Sequence, residues 1–298
     1  MEVQVIKLHG SLKVGRFLGI AVAGFALATS AATGAESPYK ALYVFGDSFS
    51  DTGARYLDGK DPTPVALLAQ RMGIPFTHSK DPMPEGKSIN FAATAAGTGD
   101  DKGTGEWCCQ GMLNQVEDFA ARVRSGKVKF KPESTLFFLE GGLNDTDVDT
   151  AVTLGNLTRQ IEILRGLGAR HFTLTQLPTR IPDFAAVGKR LNPAYEMFVS
   201  DLQMKGVDIH LNRWGAYLDE IIENPAKYGI VNTTSQCAGR ALFKEDATPC
   251  ATPDKYFYFH SGHPSGAVNR MVVDKLYPEL VASRNKSGDG MMPNAMTN

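Results

Sequence analysis

The apolar segment Leu42–Phe45 stops abruptly at the polar sequence Gly46-Asp47-Ser48. An unbroken run of aromatic and β-branched residues is typical of a strand that is buried on both faces of a sheet. The sequence therefore predicts a serine hydroxyl at the carboxyl end of a buried strand, where ligands of open α/β sheets collect. Taken alone, Gly-Asp-Ser after a strand is also common in turns, and Ser48 could simply cap a helix.

Strand-like and helix-like patterns alternate along the rest of the chain. Strands are predicted at residues 41–45, 135–139, 171–175 and 207–211, and helices at 63–72, 113–124, 151–167, 194–204, 214–223 and 265–281. This alternation predicts an α/β fold, with a central parallel sheet between two layers of helices. Residues 73–112 are rich in glycine, proline and aspartate and are expected to form loops.

The first 35 of the 298 residues have the pattern of a secretory signal peptide. Basic residues precede the apolar segment 17–28, which is short for a membrane span, and small residues follow as far as Ala35. The basic residues are Lys7, Lys13 and Arg16. An uncleaved membrane anchor is the alternative. We expect a secreted or periplasmic protein that has no stable membrane span after cleavage.

The remaining residues are enough for one large domain, which we place at 36–285, with a disordered tail over 286–298. The net charge is −1 and 21% of the residues are charged, so nothing indicates a nucleic-acid partner. No CxxC pair occurs, and no histidine is spaced from the cysteines as in a zinc site, so we expect no metal.

Four cysteines in an exported protein favour disulfide bonds. Cys237 and Cys250 flank a polar loop just before His263, and a bridge between them would hold the segment that presents this histidine. Cys108 and Cys109 are adjacent, and their partners stay open.

Three short segments follow Ser48 in a fixed order: Asn90-Phe91-Ala92, Gly142-Leu143-Asn144-Asp145 and His263-Pro264. Together with Gly46-Asp47-Ser48, they resemble the four sequence blocks of the GDSL family, also called the SGNH hydrolases. The resemblance extends from about Tyr39 to about Leu280. It implies a three-layer α/β/α, flavodoxin-like fold with a central parallel sheet. It also implies a serine hydrolase that cleaves carboxylic esters without any metal or organic cofactor.

The resemblance implies that Ser48 is the nucleophile and His263 the general base. Donors to the oxyanion would be the backbone N–H of Ser48, a backbone N–H of the second block and the Asn144 side chain, which carries two uncharged N–H donors. The remaining block residues are expected to support the site. Asn90 would organise the second loop, Asp47 would hold the nucleophile turn, and Gly142 and Asp145 would shape the turn around Asn144.

Two departures from the family pattern affect the predicted site. Family members carry two glycines where this chain has Thr94 and Ala95, and we expect the Thr94 N–H to be the second oxyanion donor. The residue three positions before His263 is His260, whereas the family has an aspartate there. A neutral His260 could orient His263 by accepting a hydrogen bond from it, but it would supply no negative charge. Three arrangements remain open: a Ser48–His263 dyad oriented by a backbone carbonyl or an anion, a carboxylate from elsewhere such as Asp254, or a weakened enzyme.

The leading interpretation is a secreted serine esterase that forms an acyl-enzyme on Ser48. Its substrate could be a small-molecule ester, a lipid or an acetylated sugar. A non-catalytic binding protein on a hydrolase fold is one alternative, and an acyltransferase that uses the same acyl-enzyme is another.

Overall fold

The structure is a computed structural model, and it describes residues 37–53, 59, 61–81, 88–100 and 111–289. The predicted signal peptide at 1–35 lies outside these residues. So do Cys108, Cys109 and residues 290–298 of the predicted tail.

Six parallel strands form the central sheet. They are β1 (Ala41–Phe45), β2 (Phe76–His78), β3 (Ser88–Asn90), β4 (Thr135–Leu139), β5 (His171–Thr175) and β6 (Asp208–Asn212). Their order across the sheet is β2-β3-β1-β4-β5-β6. The last five strands have the flavodoxin-like order, in which the connections reverse direction between β1 and β4. All residues of β4 and β5 are buried, as expected for a sheet covered on both faces.

Helices cover both faces of this sheet. They are α1 (Pro64–Arg71), α2 (Met112–Arg124), α3 (Thr150–Gly166), α4 (Ala185–Met204), α5 (Trp214–Glu223) and α6 (Gly266–Asp289). Helix α3 packs against α2 and α4, whereas α6 packs against α1 and α5. The predicted α/β fold, with three layers and a central parallel sheet, is confirmed.

A second, smaller sheet was not predicted. It consists of β7 (Asn232–Gln236), β8 (Tyr256–His260) and β9 (His263–Pro264). Strand β7 pairs with β8 in parallel, and β8 pairs with β9 in an antiparallel hairpin. A disulfide joins Cys237, directly after β7, to Cys250. This sheet presents His263.

Besides one-residue shifts at element ends, three segments differ from the sequence-based prediction. Residues 73–112 contain the short strands β2 and β3, whose three residues each are too few to give a periodic signal. Helix α4 begins at Ala185 rather than at residue 194, and it contains Pro193, a residue that usually stands at a helix start. Helix α6 continues to Asp289, so residues 286–289 of the predicted tail are helical. Extending an existing helix costs far less free energy than nucleating one.

Aromatic side chains fix β1 against its neighbours. Tyr43 packs between Phe119 and Phe137, with ring centroids 4.7 and 5.6 Å apart. Phe45 stacks on Phe91 at 5.4 Å. Because Phe45 directly precedes the Gly46-Asp47-Ser48 turn and Phe91 belongs to the second block, this stack places two of the four sequence blocks side by side.

Candidate active site

The chain turns sharply after β1 and buries the base of the turn. The carbonyl of Asp47 accepts the N–H groups of Ser50 and Asp51 at 3.1 and 2.9 Å, and its Oδ1 accepts the N–H of Phe49 at 3.1 Å. A Cβ at Gly46 would lie 2.8 Å from the carbonyl oxygen of Glu140. Glycine is therefore required where the turn approaches the end of β4.

Ser48 and His263 are in direct contact, although 215 positions separate them in the chain. Ser48 Oγ lies 2.8 Å from His263 Nε2, and both side chains are largely buried. The Phe49 ring stacks on the imidazole, with centroids 4.7 Å apart and planes inclined by 29°. The stack fixes the plane of the imidazole, so Nε2 points toward the hydroxyl.

The other ring nitrogen of His263 faces a backbone carbonyl. His263 Nδ1 lies 2.9 Å from the oxygen of Ser261. The turn between β8 and β9 makes this contact possible, because Gly262 has a φ of +71°. A carbonyl only accepts hydrogen bonds, so it favours the tautomer with hydrogen on Nδ1. Nε2 is then the acceptor for the Ser48 hydroxyl.

The two candidates for a third member of the site take different places. His260 Nδ1 lies 3.0 Å from the carbonyl oxygen of Ala238, inside the small sheet. Asp254 accepts a hydrogen bond from Arg270 at 3.0 Å, and its side chain is 70% exposed. Asp254 thus pairs with Arg270 in this structure, and a contact between Asp254 and His263 stays a prediction.

One predicted oxyanion donor is already engaged. The Thr94 N–H and hydroxyl both donate to Asp51 Oδ2, at 2.7 and 2.9 Å. In this structure the Thr94 N–H is thus directed at Asp51, and its donation to an oxyanion stays a prediction. Asp51 is fully buried, so its carboxylate needs these donors. Ala95, the next residue, has a φ of +65°, and none of the described residues accepts its N–H.

The Ser48 N–H has no acceptor within the described ranges, unlike the neighbouring amides of the turn. The Gly46 N–H donates to Gln115 Oε1, and the Asp47 N–H donates to Glu140 Oε2. An unpaired backbone N–H next to a serine hydroxyl is one donor of the kind that stabilises an oxyanion.

Asn144 lies beside this turn and is exposed. Its Nδ2 donates to the Ala96 carbonyl at 3.0 Å and to Asp47 Oδ2 at 3.3 Å. The structure thus brings the third block against the residue that precedes the serine.

The other predicted block residues connect loops. Asn90 Nδ2 donates to the Ser50 carbonyl at 2.7 Å, which ties the second block to the nucleophile turn. Buried Asp145 accepts the Thr98 N–H at 3.0 Å and the Thr153 hydroxyl at 2.7 Å. Gly142 has a φ of +110°, and a Cβ there would lie 2.4 Å from the Tyr195 hydroxyl oxygen.

Glu140 is a buried residue at this site that the sequence analysis missed. It follows β4 directly and is 1% exposed. Burial raises the pKa of its carboxyl above the usual range, and burial together with the charge of Glu140 raises the pKa of Asp47 well above its own. The available signal was a lone charged residue between an apolar strand and Gly141-Gly142.

No group of three or more histidine, cysteine, aspartate or glutamate side chains in the described ranges has the geometry of a metal site. None of the helices described is both long and apolar enough to cross a membrane.

Comparison with known proteins matches residues 42–276 to the family model of GDSL-like lipase/acylhydrolase. One Arabidopsis thaliana GDSL esterase/lipase is 24% identical over 307 residues, which covers 84% of this chain and 92% of that protein. Another is 28% identical over 144 residues and covers 40% of this chain, which spans only 39% of that relative's length. A solved G-D-S-L family lipolytic protein from Veillonella parvula aligns with a TM-score of 0.46 at 15% identity, covering 78% of this chain and 94% of that one. Because the family model spans most of the sequence, this chain belongs to the GDSL-like lipase/acylhydrolase family, a family of carboxylic ester hydrolases.

Proposed function

We propose that the protein is a secreted serine esterase in which Ser48 and His263 act as a dyad, with the Ser261 carbonyl in place of the usual carboxylate. The observation that carries this proposal is the 2.8 Å contact between Ser48 Oγ and His263 Nε2. A serine hydroxyl is a weak nucleophile until an adjacent base removes its proton, and no other described contact supplies that base.

In the first half-reaction, Ser48 Oγ attacks the ester carbonyl carbon while its proton moves to His263 Nε2. Negative charge develops on the carbonyl oxygen, and the Ser48 N–H is placed to donate to it. When the tetrahedral intermediate collapses, the bond to the alcohol oxygen breaks and His263 returns the proton to the departing alcohol. The acyl group stays on Ser48.

In the second half-reaction, water takes the place of the alcohol. His263 Nε2 removes a proton from the water as it attacks the acyl carbon, and the bond to Ser48 Oγ breaks. Ser48 regains its proton from His263 and the carboxylic acid is released. The balance of the two steps is one ester and one water converted to one acid and one alcohol.

A backbone carbonyl at His263 Nδ1 does less in this scheme than a carboxylate would. A carboxylate both fixes the tautomer and stabilises the imidazolium that forms during proton transfer. The Ser261 carbonyl fixes the tautomer equally well through its 2.9 Å contact, but it offers only a dipole to the positive charge. We therefore expect activity that is lower than that of a complete triad.

The Cys237–Cys250 disulfide and the signal-like leader support export. Disulfide bonds persist in oxidising compartments, and this one fixes the small sheet that carries His263. The substrate class proposed here is a carboxylic ester of a small molecule, a lipid or an acetylated sugar.

The test is hydrolysis of chromogenic esters from acetyl to palmitoyl by the mature protein and by Ser48→Ala. Ser200→Ala, which alters an exposed serine on α4, is the matched control. We expect turnover by the wild type and Ser200→Ala and none by Ser48→Ala. The preferred chain length then separates an esterase from a lipase. Equal turnover by Ser48→Ala would exclude Ser48 as the nucleophile.

The same assay addresses the two alternatives. Turnover on none of the esters, with the fold intact, would favour a binding protein on a hydrolase fold. An acyltransferase uses the same acyl-enzyme, so an excess of an acceptor alcohol would take the acyl group from Ser48 in place of water and give a new ester instead of the acid. We place the hydrolase first because the described contacts around Ser48 and His263 require no acceptor other than water.

A further inference from the structure

Two carboxyl groups lie behind the nucleophile turn, and the reaction scheme above uses neither. Asp47 directly precedes Ser48, and Glu140 directly follows β4. Strands β1 and β4 are adjacent and parallel, with Phe45 opposite Leu139, so the residues that follow the two strands meet. Both side chains are fully buried, at 0% and 1% exposure, and the Asp47 N–H donates to Glu140 Oε2 at 3.2 Å.

Two buried carboxylates in contact cannot both carry a charge at low cost. Among the described residues, no lysine or arginine forms an ion pair with either group. Glu140 Oε1 is buried without a partner in the described part of the chain. A proton held between the two groups removes one charge and supplies the missing donor.

We propose that Asp47 and Glu140 share one proton, and that the resulting hydrogen bond holds the turn that presents Ser48. Glu140 is then a positioning residue that acts through Asp47. The role rests on the proposed esterase function, because it concerns the geometry of the same nucleophile.

The contacts around Asp47 explain how Glu140 acts on catalysis. Asp47 Oδ1 accepts the Phe49 N–H, and Oδ2 accepts Asn144 Nδ2 at 3.3 Å, so one carboxyl group orients the backbone on one side of Ser48 and the amide of the third block. Gly46 packs directly on the Glu140 carboxyl group, since a Cβ at position 46 would lie 2.9 Å from Glu140 Oε2. Any separation of the two carboxyl groups therefore displaces the residues on both sides of the pair.

Burial favours the protonated forms, since it raises the pKa of both Asp47 and Glu140. The neighbouring groups reinforce this. Asp145, which follows β4 as well, adds negative charge, and buried Tyr195 from α4 has its own pKa raised, chiefly by burial and then by Asp145 and Glu140. Arg190, also on α4, is the cation that acts on Tyr195 in the opposite direction. Loss of the shared proton at alkaline pH would leave two repelling anions.

The first experiment measures kcat and KM across the pH range for wild type, Glu140→Gln and Glu140→Ala on an activated ester. Glu162→Gln, on the exposed face of α3, is the control. Glutamine keeps the shape and hydrogen bond of the side chain without the second charge. We expect wild-type kcat to decline at alkaline pH. We expect Glu140→Gln to keep kcat within about fivefold at neutral pH and to lack that decline. Glu140→Ala should lower kcat by at least about tenfold with KM changed less than about twofold.

An alkaline decline that is identical in wild type and Glu140→Gln would overturn the proposal. So would a Glu140→Ala variant with wild-type kcat. Circular dichroism confirms that each variant is folded before its kinetics are compared.

A second experiment is independent of ester hydrolysis. Infrared difference spectroscopy of the wild type at neutral pH should detect a protonated carboxyl group that is absent from the Asp47→Asn/Glu140→Gln double variant. No such band in the wild type would overturn the shared proton. A band in a protein that hydrolyses no ester would refute the proposed function while leaving the shared proton standing.

Discussion

His263 Nδ1 lies 2.9 Å from the backbone carbonyl of Ser261, only two residues earlier in the chain. The hairpin that carries the histidine thus supplies the acceptor at Nδ1, while the Phe49 ring stacks on the imidazole. This local contact exists because Gly262 turns the chain with a positive φ and β8 and β9 hold the two ends of the hairpin together. The imidazole needs only one acceptor at Nδ1 to keep the tautomer that accepts from Ser48.

The first prediction concerns His260. Because the Ser261 carbonyl is already paired with Nδ1, we expect His260→Asp to raise kcat by less than about threefold. The substitution also removes the contact with the Ala238 carbonyl and buries a charge, so the protein should be destabilised by about 1–3 kcal/mol. His260→Asn, which has the shape of aspartate without its charge, is the control. A gain of tenfold or more in His260→Asp alone would show that the Ser261 carbonyl does not keep a carboxylate from His263 Nδ1.

The second prediction compares two glycines. Gly142→Ala should lower the free energy of unfolding by about 3 kcal/mol, because its φ of +110° disfavours a side chain and the new Cβ meets the Tyr195 hydroxyl. Gly155→Ala, in α3 where nothing lies within 4 Å, should instead raise stability by about 1 kcal/mol. Denaturant titration of both variants measures the difference. Similar values for the two would show that the turn after β4 is not constrained as described.

The third prediction concerns the disulfide. The Cys237→Ala/Cys250→Ala variant should lose about 3 kcal/mol of stability, since the bridge closes a loop with a sequence separation of 13. Activity should be lost at a lower temperature than the main sheet unfolds, because the bridge fixes the segment beside His260 and His263. Parallel thermal curves of ester hydrolysis and far-ultraviolet circular dichroism check this. Coincident curves in the variant would contradict a local role for the bridge.

The fourth prediction is a pH dependence of stability. Hydrogen bonds from Lys275, Tyr228 and Lys227, with that from Lys275 the largest cause, lower the pKa of Glu220 from 4.5 to about 2. A carboxyl with a lowered folded-state pKa stabilises the protein above its unfolded pKa, and the contribution disappears as the pH falls through the folded value. The stability gap between wild type and Glu220→Gln should therefore be largest at neutral pH and shrink between pH 4.5 and about 2.

Glu196→Gln, an exposed glutamate on α4, serves as the control for this titration. A gap between wild type and Glu220→Gln that stays constant over the same pH range would mean that the contact between α5 and α6 does not depend on the charge of Glu220.

The sequence predicted the parallel sheet well because its central strands are continuous apolar runs. Thr135–Leu139 and His171–Thr175 have the predicted bounds. The small sheet was missed for a physical reason. Its strands β7 and β9 are respectively polar and two residues long, so their pairing depends on neighbours far along the chain rather than on a periodic pattern.

Side-chain contacts between the four sequence blocks were predictable from the sequence. Contacts that depend on the backbone geometry of the loops were not. The proximity of Ser48 and His263 followed from the order of the blocks. Residue identities do not specify loop geometry. Two contacts depend on that geometry: the hydrogen bond from the Thr94 N–H to Asp51 and the contact of His263 Nδ1 with the Ser261 carbonyl. Glu140 was passed over because the sequence does not show that two strands place it against Asp47.

The most direct test of the dyad is a double-mutant cycle with Ser48→Ala, His263→Ala and the combined variant, measured as kcat/KM on one activated ester. Residues that act as a unit in one reaction step lose activity together, so removing the second should cost little once the first is gone. We predict that each single variant loses nearly all activity and that the double variant is no worse than either. Losses that multiply in the double variant would contradict a Ser48–His263 dyad.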